Sequence, residues 1–168
     1  PFPVAQESMS TPRTRLVYLL AASHSGSTLA GLLLGSHPEI STVGELKFTS
    51  LGDIDRYRCS CGAFLLECPF WRRVRSEIAA RGRTFDPGDG STDLFSGVSP
   101  YVRRALRPLH RGAFLELVRD GFLQAAPSWR SHLRAWQEAN ALLAQTVSGI
   151  TGKPVVVDSS KVGIRLKY

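Results

Sequence analysis

"RLVYLLAASHSGSTLAGLLLGSHP", Arg15 to Pro38, is the stretch whose reading decides the fold. It opens with "RLVYLLAAS", a short apolar run with little alternation. Such a run suits a strand buried on both faces, as in a parallel sheet. "SHSGS" breaks the run. "TLAGLLLGSH" then has helical composition and stops at His37-Pro38, because a residue before proline avoids the helical region. The stretch therefore predicts strand, loop, helix. A helix start leaves backbone N–H groups unpaired and carries partial positive charge. A small-residue turn before it lets an anion approach the backbone closely. Gly26 supplies that permissive backbone, and Ser23, Ser25, Ser27 and Thr28 add hydroxyl donors. In open α/β sheets ligands bind beyond the carboxyl ends of strands, where this loop would lie.

Working outward, residues 1–14 read as a loose leader and residues 15–168 as one α/β domain. "PEISTVGELKF" (38–48) predicts an extended passage leading into a loop. "CSCGAFLLECPFW" (59–71) is a compact cysteine loop feeding a helix. Pro69 fits that helix's first turn and Gly82 its end, with Phe70, Trp71, Val74 and Ile78 as its buried stripe. "RTFDPGDGSTDLFSGVSP" (83–100) is rich in turn formers and reads as a mobile loop. Residues 101–126 predict helix in two pieces, broken near Pro108. Ser128 could cap a long helix whose buried face carries Trp129, Leu133, Trp136, Leu143 and Val147, ended by Gly149 and Gly152. "KPVVVDSSK" (153–161) is a second β-branched strand, and "VGIRLKY" (162–168) resembles a helix start. Alternating strands and helices imply a parallel α/β sheet. Two strong strands are few for one, so the chain reads as the front part of a larger domain.

The totals agree with a folded domain. The chain has 168 residues, 43% of them hydrophobic, a net charge of +7 and a pI near 9.8. That size supports a substantial core, and that charge favours anionic partners. "PFPVAQESMSTPRTR" lacks the apolar centre of a secretory signal. Leu16 to Ser36 carries no Asp, Glu, Lys or Arg, but "SHSGST" in its middle argues against a membrane span. With no such span and no secreted disulfide framework, the expected compartment is the cytoplasm.

Two familiar loops fit poorly. The nucleoside triphosphate loop, G-x-x-x-x-G-K-[ST], aligns with "AASHSGST", but Ala21 replaces the first Gly and Ser27 the Lys. The lost lysine matters most, since it neutralises the β- and γ-phosphates. A serine-hydrolase elbow, G-x-S-x-G, fails at both glycines around Ser25.

With "HSGSTL" (His24–Leu29), "HPEI" (His37–Ile40), "GE" (Gly44-Glu45) and "VVVDSSK" (Val155–Lys161) assembled, the chain resembles the sulfotransferases that use 3′-phosphoadenylyl sulfate. "CSCGAFLLECPFW" is also similar to a segment of bacterial members. The resemblance is specific at residues 19–45 and 155–165. It implies a P-loop-kinase-like sheet and transfer of a sulfuryl group to a hydroxyl or amine. Ser25, Gly26, Ser27 and Thr28 would cradle the donor's 5′-phosphate. His24 stands where the family carries Lys or Arg; an imidazole can hydrogen-bond the sulfate or act as an acid. Lys161 would supply the cation at the leaving group, and Glu45 the general base. Asp158 would orient Lys161 or His24. No metal is required if side chains provide the positive charge. The 3′-phosphate site is expected beyond Tyr168, and no role passes to Arg119.

Cys59, Cys61 and Cys68 follow C-x-C-x6-C. Zinc needs about four ligands, so His37, His110 or His132 would have to complete a site. A Cys59–Cys68 or Cys61–Cys68 disulfide, or reduced packed thiols, are the other readings. Arg72, Arg73 and Arg75 lack the aromatic interleaving of a nucleic-acid surface. Two other function classes stay open: a P-loop kinase or other nucleotide phosphotransferase, and a non-catalytic anion- or zinc-binding module. The loop 83–100 and the helices after it are expected to shape the acceptor pocket. The acceptor itself is not readable.

Overall fold

A computed structural model describes residues 13–22, 24–47, 54–107 and 112–168. Three strands, β1 (Arg15–Tyr18), β2 (Ile40–Thr42) and β3 (Val155–Asp158), form a parallel sheet in the order β1-β3-β2. β3 is central. Arg15 to Tyr18 pair with Val155 to Asp158, and Ile40 to Thr42 pair with Val155 to Val157. The carboxyl ends of the three strands therefore lie at one edge of the sheet. The expected α/β parallel sheet is present. Its third strand is the middle of the passage read only as extended: three residues are too few to show periodicity, and β3 supplies their partner.

β1 departs from expectation. It is an edge strand, with Leu16 49% and Val17 41% exposed, rather than a strand buried on both faces. Its apolar composition was read correctly, but an apolar run does not say how many neighbours cover it.

The described residues form five helices, α1 (Ser27–Gly35), α2 (Pro69–Ala80), α3 (Pro100–Leu106), α4 (Ala113–Ala125) and α5 (Pro127–Thr151), of which α1 and α5 pack on the strands and α2 and α4 on α5. α1 packs closely on β2. A Cβ built on Gly35 would lie 2.8 Å from the Thr42 Cγ2, so this contact requires glycine. α2 buries Trp71, Val74 and Ile78, as its stripe predicts, with Phe70 half-buried. α5 links two cores. Its carboxyl half packs Leu143, Ala144 and Val147 with Trp71, Val74, Ile78, Leu46 and Val156. Its amino half packs Trp129, Leu133 and Trp136 with Leu94, Leu106 and Leu123. Among the described residues no helix is long and apolar enough to cross a membrane.

Three further expectations change. Ser128 does not cap α5; Ala126 holds that position and Pro127 is the first helical residue, where a missing N–H costs nothing. Residues 162–168 form a short 3-10 turn, Gly163–Leu166, rather than an α-helix. The turn-rich segment 83–100, read from its composition as a loose loop, is packed against the body of the protein. Phe85, Thr92 and Leu94 are buried, and the Thr92 carbonyl accepts from Trp136 Nε1 at 3.0 Å and Arg165 Nη1 at 2.7 Å. Turn formers set local geometry; these distant donors fix the segment. The break near Pro108 falls at residues 108–111, outside the described residues.

Candidate functional site

The sheet's carboxyl edge gathers the loop before α1, the segment after β2 and the segment after β3. Gly26 is the N-cap of α1, with φ +80°, a left-handed conformation that favours glycine. No side chain caps the helix. The first bond back to the cap is Ala30 N–H to Gly26 O at 2.9 Å, so the N–H groups of Ser27, Thr28 and Leu29 have no partner within the helix. Ser27 is buried at the first helical position, while Ser25 and Thr28 are exposed. The Ser25 hydroxyl donates to Ala22 O at 2.6 Å, which closes the turn. His24 is exposed. Ser23 lies outside the described residues.

Glu45 and Lys161, 116 positions apart in sequence, meet: Lys161 Nζ is 3.0 Å from Glu45 Oε1. Lys47 Nζ lies 3.2 Å from Glu45 Oε2. Partial burial works against the charged Glu45 carboxylate, but hydrogen bonds from Lys161 and Lys47 outweigh it, and the Glu45 pKa falls below its ordinary value. Sequence reasoning missed Lys47, although an acid and a base two positions apart after Gly44 were a signal.

Two non-glycine residues among those described have positive φ: His24 at +62° and Lys161 at +56°. Both are candidate site residues. Left-handed backbone at ordinary residues costs on the order of 1 kcal/mol or more and persists where surroundings over-determine it. At Lys161 those surroundings are visible. The Tyr18 hydroxyl donates to Val162 O at 3.0 Å and accepts from Val162 N–H at 2.6 Å. Burial raises the Tyr18 pKa, so this phenol stays protonated for that role. Nothing in the local pattern of β1 marks Tyr18 for it.

Asp158 holds the other side. Its Oδ1 accepts from Leu46 N–H at 3.0 Å and Ser160 N–H at 2.9 Å, and also from the Ser160 hydroxyl. Its Oδ2 accepts from Arg165 Nη2 at 3.2 Å. Asp158 therefore bonds neither Lys161 nor His24, contrary to the expectation that it orients one of them. It fixes the residue after Glu45 and the residue before Lys161, and so sets where both side chains begin.

A cavity of about 400 Å³ opens beside this edge. Thr28, Gly44, Glu45 and Ser159 line its sheet side, and Tyr57, Cys59, Phe70 and Trp71 its outer wall. The wall is thus the cysteine hairpin and the start of α2. No residue of the segment 83–100 or of α3 and α4, the elements expected to shape an acceptor pocket, lines this cavity. The three cysteines converge, with all three sulfurs within 4.8 Å of one another. Neither histidine open to view completes that set. His132 Nε2 is 3.0 Å from Leu94 O, and His37 Nδ1 accepts from Glu39 N–H at 3.2 Å. His110 lies outside the described residues. No protein-family model, no curated protein and no solved structure matches the chain.

Proposed function

We propose that the protein is a sulfotransferase of P-loop-kinase-like fold, moving a sulfuryl group from 3′-phosphoadenylyl sulfate to a hydroxyl or amine. One observation carries the reading. The Glu45–Lys161 ion pair sits at the strand ends, and Glu45 shares a cavity with the uncapped amino end of α1. A base, a cation and an anion cradle are the parts that sulfuryl transfer requires.

In this mechanism the N–H groups at the start of α1, with the Ser27 and Thr28 hydroxyls, hold the 5′-phosphate, and Ser25 shapes the turn through its bond to Ala22 O. Lys161 turns from Glu45 to the oxygen that bridges phosphorus and sulfur. The acceptor oxygen or nitrogen attacks sulfur as the bridging S–O bond breaks. Adenosine 3′,5′-bisphosphate leaves with that electron pair, and the acceptor proton passes to Glu45. The ion pair has a purpose here. Paired with two lysines, Glu45 is a weak base; once Lys161 is drawn to the donor, its pKa rises and it becomes a better one. His24 hydrogen-bonds the sulfate.

Calorimetric titration of the full-length protein tests the reading. Adenosine 3′,5′-bisphosphate is expected to bind without metal and more tightly than ADP with Mg²⁺. Tighter binding of Mg²⁺-ADP would refute the sulfotransferase assignment in favour of a phosphotransferase.

A further inference from the structure

We propose that Cys59, Cys61 and Cys68 bind one Zn²⁺ as thiolates, with a water molecule as fourth ligand, and that this metal clamps the cavity's outer wall. The chain folds locally to present the sulfurs. Arg58 and Phe64 form an antiparallel bridge. Cys59 N–H donates to Ala63 O, and Gly62 N–H to Cys59 O, both at 2.8 Å. Gly62, with φ +89°, makes the reversal possible. This tight hairpin carries Cys59 and Cys61. Cys68 is the N-cap of α2, buried at 1% exposure.

The spacing argues against a disulfide and suits a shared metal. Cys61 and Cys68 sulfurs are 3.6 Å apart. A disulfide requires about 2.0 Å. Two thiolates on a tetrahedral zinc, each with a bond of about 2.3 Å, lie about 3.8 Å apart. All three sulfurs lie within 4.8 Å of one another, close enough for one metal ion to draw them together. Thiolate ligands select zinc over the hard cations Mg²⁺ and Ca²⁺. Cys61 is exposed, so solvent reaches the cluster and can supply the fourth ligand.

The charge also balances. Binding releases three thiol protons, so the centre carries one net negative charge. The amino end of α2 faces it through Cys68. The Arg58 guanidinium is held at the hairpin by Gly62 O at 2.8 Å and by the Phe64 ring at 4.2 Å. The site joins the hairpin to α2, and Cys59, Tyr57, Phe70 and Trp71 on those two elements line the cavity. The metal would hold that wall without touching the Glu45–Lys161 pair. The inference does not depend on the transferase reading.

The test uses the full-length protein purified under reductant. Elemental analysis should find one zinc per chain that survives dialysis. The Co²⁺ derivative should show tetrahedral d–d bands with thiolate-to-cobalt charge transfer. X-ray absorption should give three sulfurs at about 2.3 Å and one oxygen. Cys61→Ser, at the exposed position, should weaken metal retention and the charge-transfer band. Should that variant fail to fold, absorption on the unaltered chain still decides. Three titratable thiols that retain no zinc would overturn the proposal. So would a Cys61–Cys68 disulfide in the reduced preparation, a shell of four sulfurs, or imidazole outer-shell scattering.

Discussion

Arg165→Met is expected to destabilise the protein by about 3 kcal/mol, the lower end of the range for breaking a buried ion pair. The Arg165 side chain is 4% exposed and that of Asp158 1%. Arg165 donates to Asp158 Oδ2 at 3.2 Å, to Thr92 O at 2.7 Å and to Asn140 Oδ1 at 3.0 Å. Methionine fills much of the volume but donates nothing, so Asp158 Oδ2 keeps a buried charge without its cation. Asp158 Oδ1 retains Leu46, Ser160 N–H and the Ser160 hydroxyl, which places the cost at the lower end. Asp158→Asn should cost a similar amount, because Arg165 is then the stranded charge. The double variant should fall well short of the sum, with a coupling of about 2 kcal/mol, within the range for contacting residues. Urea unfolding followed by tryptophan fluorescence suits the measurement, since Trp71, Trp129 and Trp136 are all buried. A loss of about 3 kcal/mol lowers the folding constant roughly a hundredfold. If Arg165→Met costs less than about 1 kcal/mol, as an exposed pair would, the account of Asp158 as the clamp of the site is refuted.

The other predictions concern the site and its supports. Glu45→Gln should lower sulfuryl transfer by at least about 10²-fold, the lower bound for a general base, with adenosine 3′,5′-bisphosphate binding kept; an active variant removes the base role. In Lys161→Met the Glu45 pKa should rise toward its ordinary value, because the Lys161 hydrogen bond depresses it; NMR titration of the Glu45 carboxyl carbon reads this, and no upward shift would sink the pairing. Gly35→Ala should destabilise by about 1–3 kcal/mol through overpacking despite alanine's higher helix propensity, and Thr42→Ser, which removes the Cγ2 at 2.8 Å, should restore most of it. A stabilised Gly35→Ala protein contradicts that contact. Burial works against the charged Asp120, but hydrogen bonds from Lys167, Arg119 and Tyr168 hold its pKa below 3.8. Its folded pKa is depressed, so its contribution is present above pH 3.8 and lost as pH falls through the folded value. Asp120→Asn should flatten that acid limb of the stability curve, and an unchanged limb would count against the cluster.

What the sequence made legible was whatever is written locally. The strand–loop–helix at Arg15–Gly35, the stripe of α2 and the buried face of α5 are periodic or punctuated patterns, and they appear as expected. Glu45 and Lys161 were found through short motifs, and the parallel sheet then made their meeting almost a consequence, since all three strands end at one edge. Roles that depend on a partner far along the chain were not legible. Tyr18 reads as one more apolar strand residue until Val162 arrives 144 positions later. The segment 83–100 reads as mobile because its own residues say only that it turns; Trp136, Asn140 and Arg165 supply the donors that pin Thr92. Asp158 was singled out for the right place and given the wrong partners. A carboxylate at the end of a buried strand must be satisfied, but which donors satisfy it is a tertiary question. Here they are the backbone N–H groups beside the catalytic candidates, the Ser160 hydroxyl and Arg165. In the proposed mechanism Asp158 would therefore act without touching the donor: by holding Leu46 and Ser160 it fixes where the Glu45 and Lys161 side chains begin, and so the separation on which the ion pair depends.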